Sequence, residues 1–180
     1  DNDGYVFRPS EWEDTLSDDP EVVAFLRDVR RALFNWNHPY EKVIMPFNSG
    51  GANGKGTWAG LLKRLLGSDN VSALSIDMFS QRFPPGDLIG KWANIGDETS
   101  VGAYVPAGAL FKSYATGDTI YVETKGVQGV AYDPCGMCIS PLNGYARFKD
   151  KSPALLRRLV YLPFTGDFKQ APKRHIKNDY

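Results

Sequence analysis

Apolar residues recur along the chain at two periods, and the switches between them mark out its elements. Val22, Phe25, Leu26, Val29 and Leu33 fall at helical spacing behind Asp19-Pro20, an N-cap carboxylate followed by proline at the first helical position. One face of this helix is expected to pack on a core, and its polar face, with Arg27, Asp28, Arg30 and Arg31, reads as solvated. The stretch before it, Asp1 to Asp18, is polar and acidic. Val43 to Phe47 is a short apolar run that fits a buried strand, with Pro46 weakening its end. A glycine-rich loop follows. Trp58, Leu61, Leu62, Leu65 and Leu66 then form a second helical stripe, stopped by Gly67.

The same alternation continues to the end of the chain. Val71 to Ile76 is a candidate strand, and Ile89 to Gly96 contains another that ends in Asp97-Glu98. Pro106 to Ala115 reads as a helix closed by Gly117. Thr119 to Glu123 alternates strongly and Val127 to Tyr132 can pair back on it, with Thr124-Lys125-Gly126 as the hairpin tip. Gly136 to Ser140 is a short strand, Ser152-Pro153 starts a helix, and Leu159 to Phe164 is a final strand. Strands alternating with helices, plus one inserted β-hairpin, predict an α/β domain around a mostly parallel sheet. Residues 1–40 are a helical lead-in and 41–180 a single core domain.

Composition narrows the class. The 180 residues are 42% hydrophobic and 23% charged, ordinary for one globular domain. Basic and acidic side chains balance at 21 each, so any nucleic-acid contact must be local rather than spread over the surface. Cys135 and Cys138 are too few for a disulfide framework and lack a second ligand pair, which favours small residues beside a strand over half a zinc site. No run of about 18 apolar residues and no signal pattern points to a membrane or to export, so a cytoplasmic location is expected. The chain opens on Asp1, which suggests a fragment of a longer polypeptide.

The loop Gly50-Gly51-Ala52-Asn53-Gly54-Lys55-Gly56-Thr57 sits between a strand and a helix. Consecutive amides and a helix N-terminus in that setting wrap a polyanion, and the lysine reaches its phosphates. Gly51, Asn53, Gly54, Lys55, Gly56 and Thr57 are the candidate ATP-binding positions. Ser49 replaces the usual first glycine. Gly56 replaces the hydroxyl residue that usually holds Mg²⁺, leaving Thr57 one position late. Further along, Asp97 and Glu98 close an apolar strand: Asp97 suits the Mg²⁺ shell with Thr57, and Glu98 suits a general base. Asn143, just past another strand, has both a donor and an acceptor and suits a phosphate–water bridge. Arg157-Arg158 lies on a short helix entering the last strand, where an arginine can stabilise transition-state charge in a neighbouring subunit.

Asn-Gly-Lys-Gly-Thr (53–57), Asn-Ile-Gly-Asp-Glu (94–98), Thr-Gly-Asp-Thr-Ile-Tyr-Val-Glu-Thr-Lys-Gly (116–126), Ser-Pro-Leu-Asn (140–143) and Arg-Arg-Leu-Val-Tyr-Leu-Pro-Phe (157–164) occur in that order. The series resembles the superfamily 3 helicase domain of phage, plasmid and poxvirus primase-helicases, from about Val43 to Phe168. The resemblance implies an AAA+-like P-loop NTPase, a three-layer sandwich with the hairpin inserted. It implies a hexameric ring that hydrolyses ATP with Mg²⁺ and moves on single-stranded or forked DNA, with a primase domain in the same full-length chain. It assigns Lys55 as the loop lysine, Asp97 and Glu98 as the strand-end acids, Asn143 as the sensor and Arg158 as the arginine finger acting in trans. It places DNA contacts on Lys112 and on Lys125, and the hairpin-tip position of Lys125 agrees. Two other readings stay open: a P-loop small-molecule kinase, and a non-hydrolysing DNA-binding or assembly module to which Gly56 lends support.

Overall fold

The computed structural model describes residues 6–35, 40–80, 86–99, 102, 104–105, 109–124 and 127–171. At its centre is a five-stranded sheet built from β1 (Val43–Phe47), β2 (Val71–Ser72), β3 (Ala93–Ile95), β7 (Met137–Ile139) and β9 (Leu159–Pro163). The strands run in the order β2-β3-β7-β1-β9 and every pairing is parallel. Both faces of such a sheet must be covered. Alternate residues accordingly feed two cores. Ile44, Ala93, Ile95, Met137, Ile139 and Leu162 face one core. Val43, Met45 and Cys138 face the other.

The first face carries three helices: α1 (Pro9–Glu13), α2 (Pro20–Ala32) and α3 (Lys55–Leu66). The second carries α4 (Ala109–Thr116), the antiparallel hairpin of β5 (Ile120–Thr124) and β6 (Val127–Tyr132), and Leu155 of α5 (Pro153–Leu156). A small parallel pair, β4 (Tyr104–Val105) with β8 (Arg147–Phe148), lies on that side too. This is a three-layer α/β sandwich of P-loop NTPase type, with the expected hairpin inserted. The hairpin tip at 125–126 falls outside the described residues.

The start of the second helix is as expected, while several details beyond it differ, each for a local reason. Helix α2 begins at Pro20, and Asp19 accepts a capping bond from the Glu21 amide at 2.9 Å. Its buried stripe is Val23, Leu26, Val29 and Leu33. Phe25, one residue or about 100° round from Leu26, is 38% exposed. Leu65, on the last turn of α3, is also exposed. The arginine face of α2 is only partly solvated. Arg30 grips the fully buried Glu13 through two bonds of 3.0 Å, and Arg27 pairs with Asp14, so α1 is clasped to α2. Arg31 and Asp28 pair at the exposed surface.

The expected strand over 71–76 stops at Ser72 because a side chain takes over the ladder. Asn94 accepts from the Leu74 amide and donates to the Leu74 carbonyl, both at 2.9 Å, and accepts from Ser72 Oγ at 2.9 Å. Beside it, a Cβ on Gly96 would lie 2.5 Å from the Leu74 carbonyl oxygen, so only glycine lets the two segments approach this closely. Cys138, also against Asn94, is buried, which pushes its thiol up to about 12. Among the described residues no cluster of three metal-ligating side chains occurs, and no helix is long and apolar enough to cross a membrane.

Candidate functional site

In a parallel sheet, ligands collect beyond the carboxyl ends of the strands, where the connections diverge to opposite faces. Here that point is β1: its outgoing helix α3 covers one face, while α5, linking β7 to β9, covers the other. The glycine-rich loop leaves β1 at this edge. Asn48 shapes its start, accepting from the Gly50 amide and donating to the Phe164 carbonyl. Asn53 shapes its end, bonding the Gly50 carbonyl. Ala52 and Gly54 both take positive φ, at 56° and 86°, a backbone pattern of the kind that can aim successive amides at an anion. Helix α3 opens at Lys55 and runs for 12 residues, so its positive end lies at the same loop.

Lys55 is 1% exposed. Its Nζ donates to Asn53 Oδ1 at 3.0 Å and to the Asn48 carbonyl at 3.3 Å. Burial lowers its pKa from the ordinary value, and the nearby Glu98 carboxylate opposes that shift. Among the described residues its hydrogen-bond acceptors are neutral oxygens, with the Glu98 carboxylate acting from further off. The outer wall of the loop is hydrophobic: a Cβ on Gly54 would overlap Leu16 Cδ2 and approach Phe168 Cε2 to 3.2 Å. The Phe168 amide also donates to the Ala52 carbonyl at 2.8 Å.

The sheet continues past its regular strands at this edge. Leu142 bridges Phe47 on one side and Thr99 on the other, and its amide donates to the Pro46 carbonyl at 2.8 Å. That continuation brings Asn143 beside Glu98, with Nδ2 donating to Oε2 at 2.8 Å across 45 positions of sequence. Glu98 also faces the first turn of α3, since a Cβ on Gly56 would lie 3.7 Å from its Oε1. The lysine loop, Glu98 and Asn143 thus share one edge.

Asp97 points elsewhere, pairing with Lys63 on α3 at 3.3 Å. Arg158 lies at the opposite end of the sheet. Its carbonyl accepts from the amide of Val43, the first residue of β1, roughly 13 Å along the strand from the loop at about 3.3 Å per residue. Its Nη1 donates to the Ala154 carbonyl. Lys112 is engaged by Asp150, whose carboxyl is lowered to about 2, first by the lysine and then by Ser152. Lys125 lies outside the described residues. Asn48, Lys63, Leu16 and Phe168 are site residues that the sequence reading did not single out. Asn48 had a usable signal, a polar residue directly after a buried apolar strand.

Solved structures share this fold. The apo C-terminal region of NrS-1 is similar at 14% identity and a TM-score of 0.64, covering 97% of this chain and 42% of that one. A further apo structure of the same region gives 18% and 0.55, with 96% and 45% covered. JC virus helicase, bound to a thiazolopyridine acetamide, gives 17% and 0.57, with 86% and 43% covered. At such identities the likeness shows the fold, a helicase-type fold, and this chain spans less than half the length of each of those structures. No curated protein matches the chain. The model of a family of unknown function, DUF5906, matches residues 47–158, well over half of the chain. The chain therefore belongs to the DUF5906 family.

Proposed function

We propose that this chain is the ATP-driven helicase or translocase module of a phage- or plasmid-type DNA replication protein. The observation that carries the reading is the meeting of the buried Lys55 loop with the Glu98–Asn143 pair at one sheet edge. ATP fits the site: two residues of positive φ, a helix N-terminus and a desolvated ammonium lie within one short loop. Mg²⁺ fits as an ion held chiefly by phosphates and water, with the Thr57 hydroxyl and Asp97 carboxylate as hard oxygen donors. Bound ATP supplies the phosphoryl group whose transfer to water releases the driving energy.

Within that reading each side chain has a task. Lys55 and the amides of 51–57 bind and orient the phosphates. Glu98 takes the proton of the attacking water, and Asn143 holds the Glu98 carboxylate in place. Asp97 leaves Lys63 for the metal shell. Arg158, at the edge remote from its own loop, serves a neighbouring subunit's site in a hexameric ring. Lys125 and Lys112 contact single-stranded or forked DNA, the latter after release from Asp150. A primase domain elsewhere in the full-length chain and a cytoplasmic setting complete the proposal.

The deciding experiment is nucleotide binding and turnover by Lys55→Ala. Loss of charge-assisted hydrogen bonds worth about 1.5–3 kcal/mol should weaken ATP binding roughly 10–100-fold, and unchanged binding and turnover would remove the assignment. A second reading, a non-hydrolysing DNA-binding or assembly module, is favoured by Gly56 and by the Lys63–Asp97 pair. Wild-type ATP binding without turnover, with and without DNA, would select it.

A further inference from the structure

Beyond Asn143 the chain enters a segment whose burial alternates strictly. Tyr145, Arg147, Lys149 and Lys151 are exposed, while Ala146, Phe148 and Asp150 turn inward. Strand β8 and the bond from the Lys149 amide to the Val105 carbonyl, 3.0 Å, fasten this segment to β4, and the chain bends at Lys149. The segment borders a cleft of about 820 Å³, whose walls include Tyr104, Tyr161, Arg147, Lys149 and Lys151. Tyr104 is 58% exposed and Tyr145 70%. Tyr145 stacks on Phe47 at 4.4 Å and lies 6.0 Å from Tyr161.

The charge on this face is not neutralised locally. Its one acid, Asp150, is taken by Lys112, and neither Arg147, Lys149 nor Lys151 forms an ion pair among the described residues. Three cations in five positions are therefore left on a chain with no net charge. Rows of cations beside exposed aromatic faces match a strand of phosphates carrying unpaired bases. A duplex, whose bases are stacked on one another, would leave the tyrosines without a partner.

We propose that this cleft is a binding path for single-stranded DNA, separate from the hairpin, with Arg147, Lys149 and Lys151 on the phosphates and Tyr104 stacking a base. The choice of occupant rests on the motor reading above. The path also lies on the segment that carries the Glu98 partner, since Tyr145 follows Asn143 by two residues.

The test is fluorescence anisotropy with a labelled oligothymidylate of about 16 nucleotides, titrated at several salt concentrations. Nucleotide binding is measured on the same preparations. Replacing Arg147, Lys149 and Lys151 together by alanine should weaken DNA binding roughly 10–100-fold. It should also lower the slope of log affinity against log salt by about 2, at about 0.7 per lost contact, with nucleotide binding intact. Tyr104→Ala should cost about 10-fold with the slope unchanged, and Tyr104→Phe should restore binding. No DNA binding by the wild-type chain, an unchanged slope in the triple variant, or equal displacement by polyglutamate would overturn the proposal. DNA binding with these signatures but no nucleotide binding would instead remove the motor reading and leave the cleft assignment standing.

Discussion

Gly54→Ala adds a single methyl group where the loop enters α3, and the structure sets its cost in two parts. Gly54 sits at φ 86°, a left-handed conformation that costs an L-residue about 1–2 kcal/mol. The new Cβ would also overlap Leu16 Cδ2 and lie 3.6 Å from Trp12 Cζ2. Leu16 is fully buried, so its rotation is resisted by its neighbours, and such overpacking costs about 1–3 kcal/mol. The sum, roughly 2–5 kcal/mol, should lower Tm by roughly 4–20 °C at about 2–4 °C per kcal/mol. Thermal and urea unfolding of Gly54→Ala, Leu16→Ala and the double variant separate the parts. Leu16→Ala alone should cost about 2–5 kcal/mol through its cavity. The double variant keeps the backbone strain but loses the overlap, so it should be more stable than additivity predicts by about 1–3 kcal/mol. Strict additivity would refute the steric part, and a neutral Gly54→Ala would refute both.

Glu98→Gln retains an oxygen to accept from Asn143 but loses the carboxylate proposed as the base. ATP should still bind while turnover falls about 10²–10⁴-fold, and normal turnover would discharge Glu98 from that role. Arg30→Met strands the buried Glu13 carboxylate and should destabilise by about 3–5 kcal/mol; adding Glu13→Gln should recover part of the loss in urea unfolding, and no recovery would mean the pair is not the cause. Asp150 has a folded pKa of about 2, below its ordinary 3.8. Its stabilising contribution is therefore present above pH 3.8 and lost as pH falls toward 2. Asp150→Asn should flatten that part of the acid unfolding curve, and an unaltered curve would break the link to Lys112.

The strand–loop–helix unit was legible because β1 and α3 announce themselves by period and the loop by its glycines. Asn143 and Glu98 were each readable as chemistry, but their 2.8 Å contact was not. It depends on a sheet continuation through Leu142 that no local pattern encodes. Helix α1 escaped notice because five residues are too few to show a helical period. Glu13 at its end and Asp14 just after it belong to ion pairs with α2 rather than to a solvated tail. β4 and β8, two residues each, are defined by one another and not by their own composition.

The wall behind the glycine loop closes only once residues 164–168 have been made. The Asp18 amide bonds Thr165 Oγ1 across 147 positions, and the Gly166 amide bonds the Leu16 carbonyl at 3.2 Å. Phe168 then covers Gly54. Contacts between such distant positions carry a loop-closure cost that must be met before they stabilise anything. A nascent chain emerging from its N-terminus can form β1 and α3 early, yet its glycine loop has no outer wall until residues 164–168 arrive. The glycine loop acquires its final shape only when residues 16–18 and 164–168 have met, so the shape of the proposed nucleotide site reports completed folding.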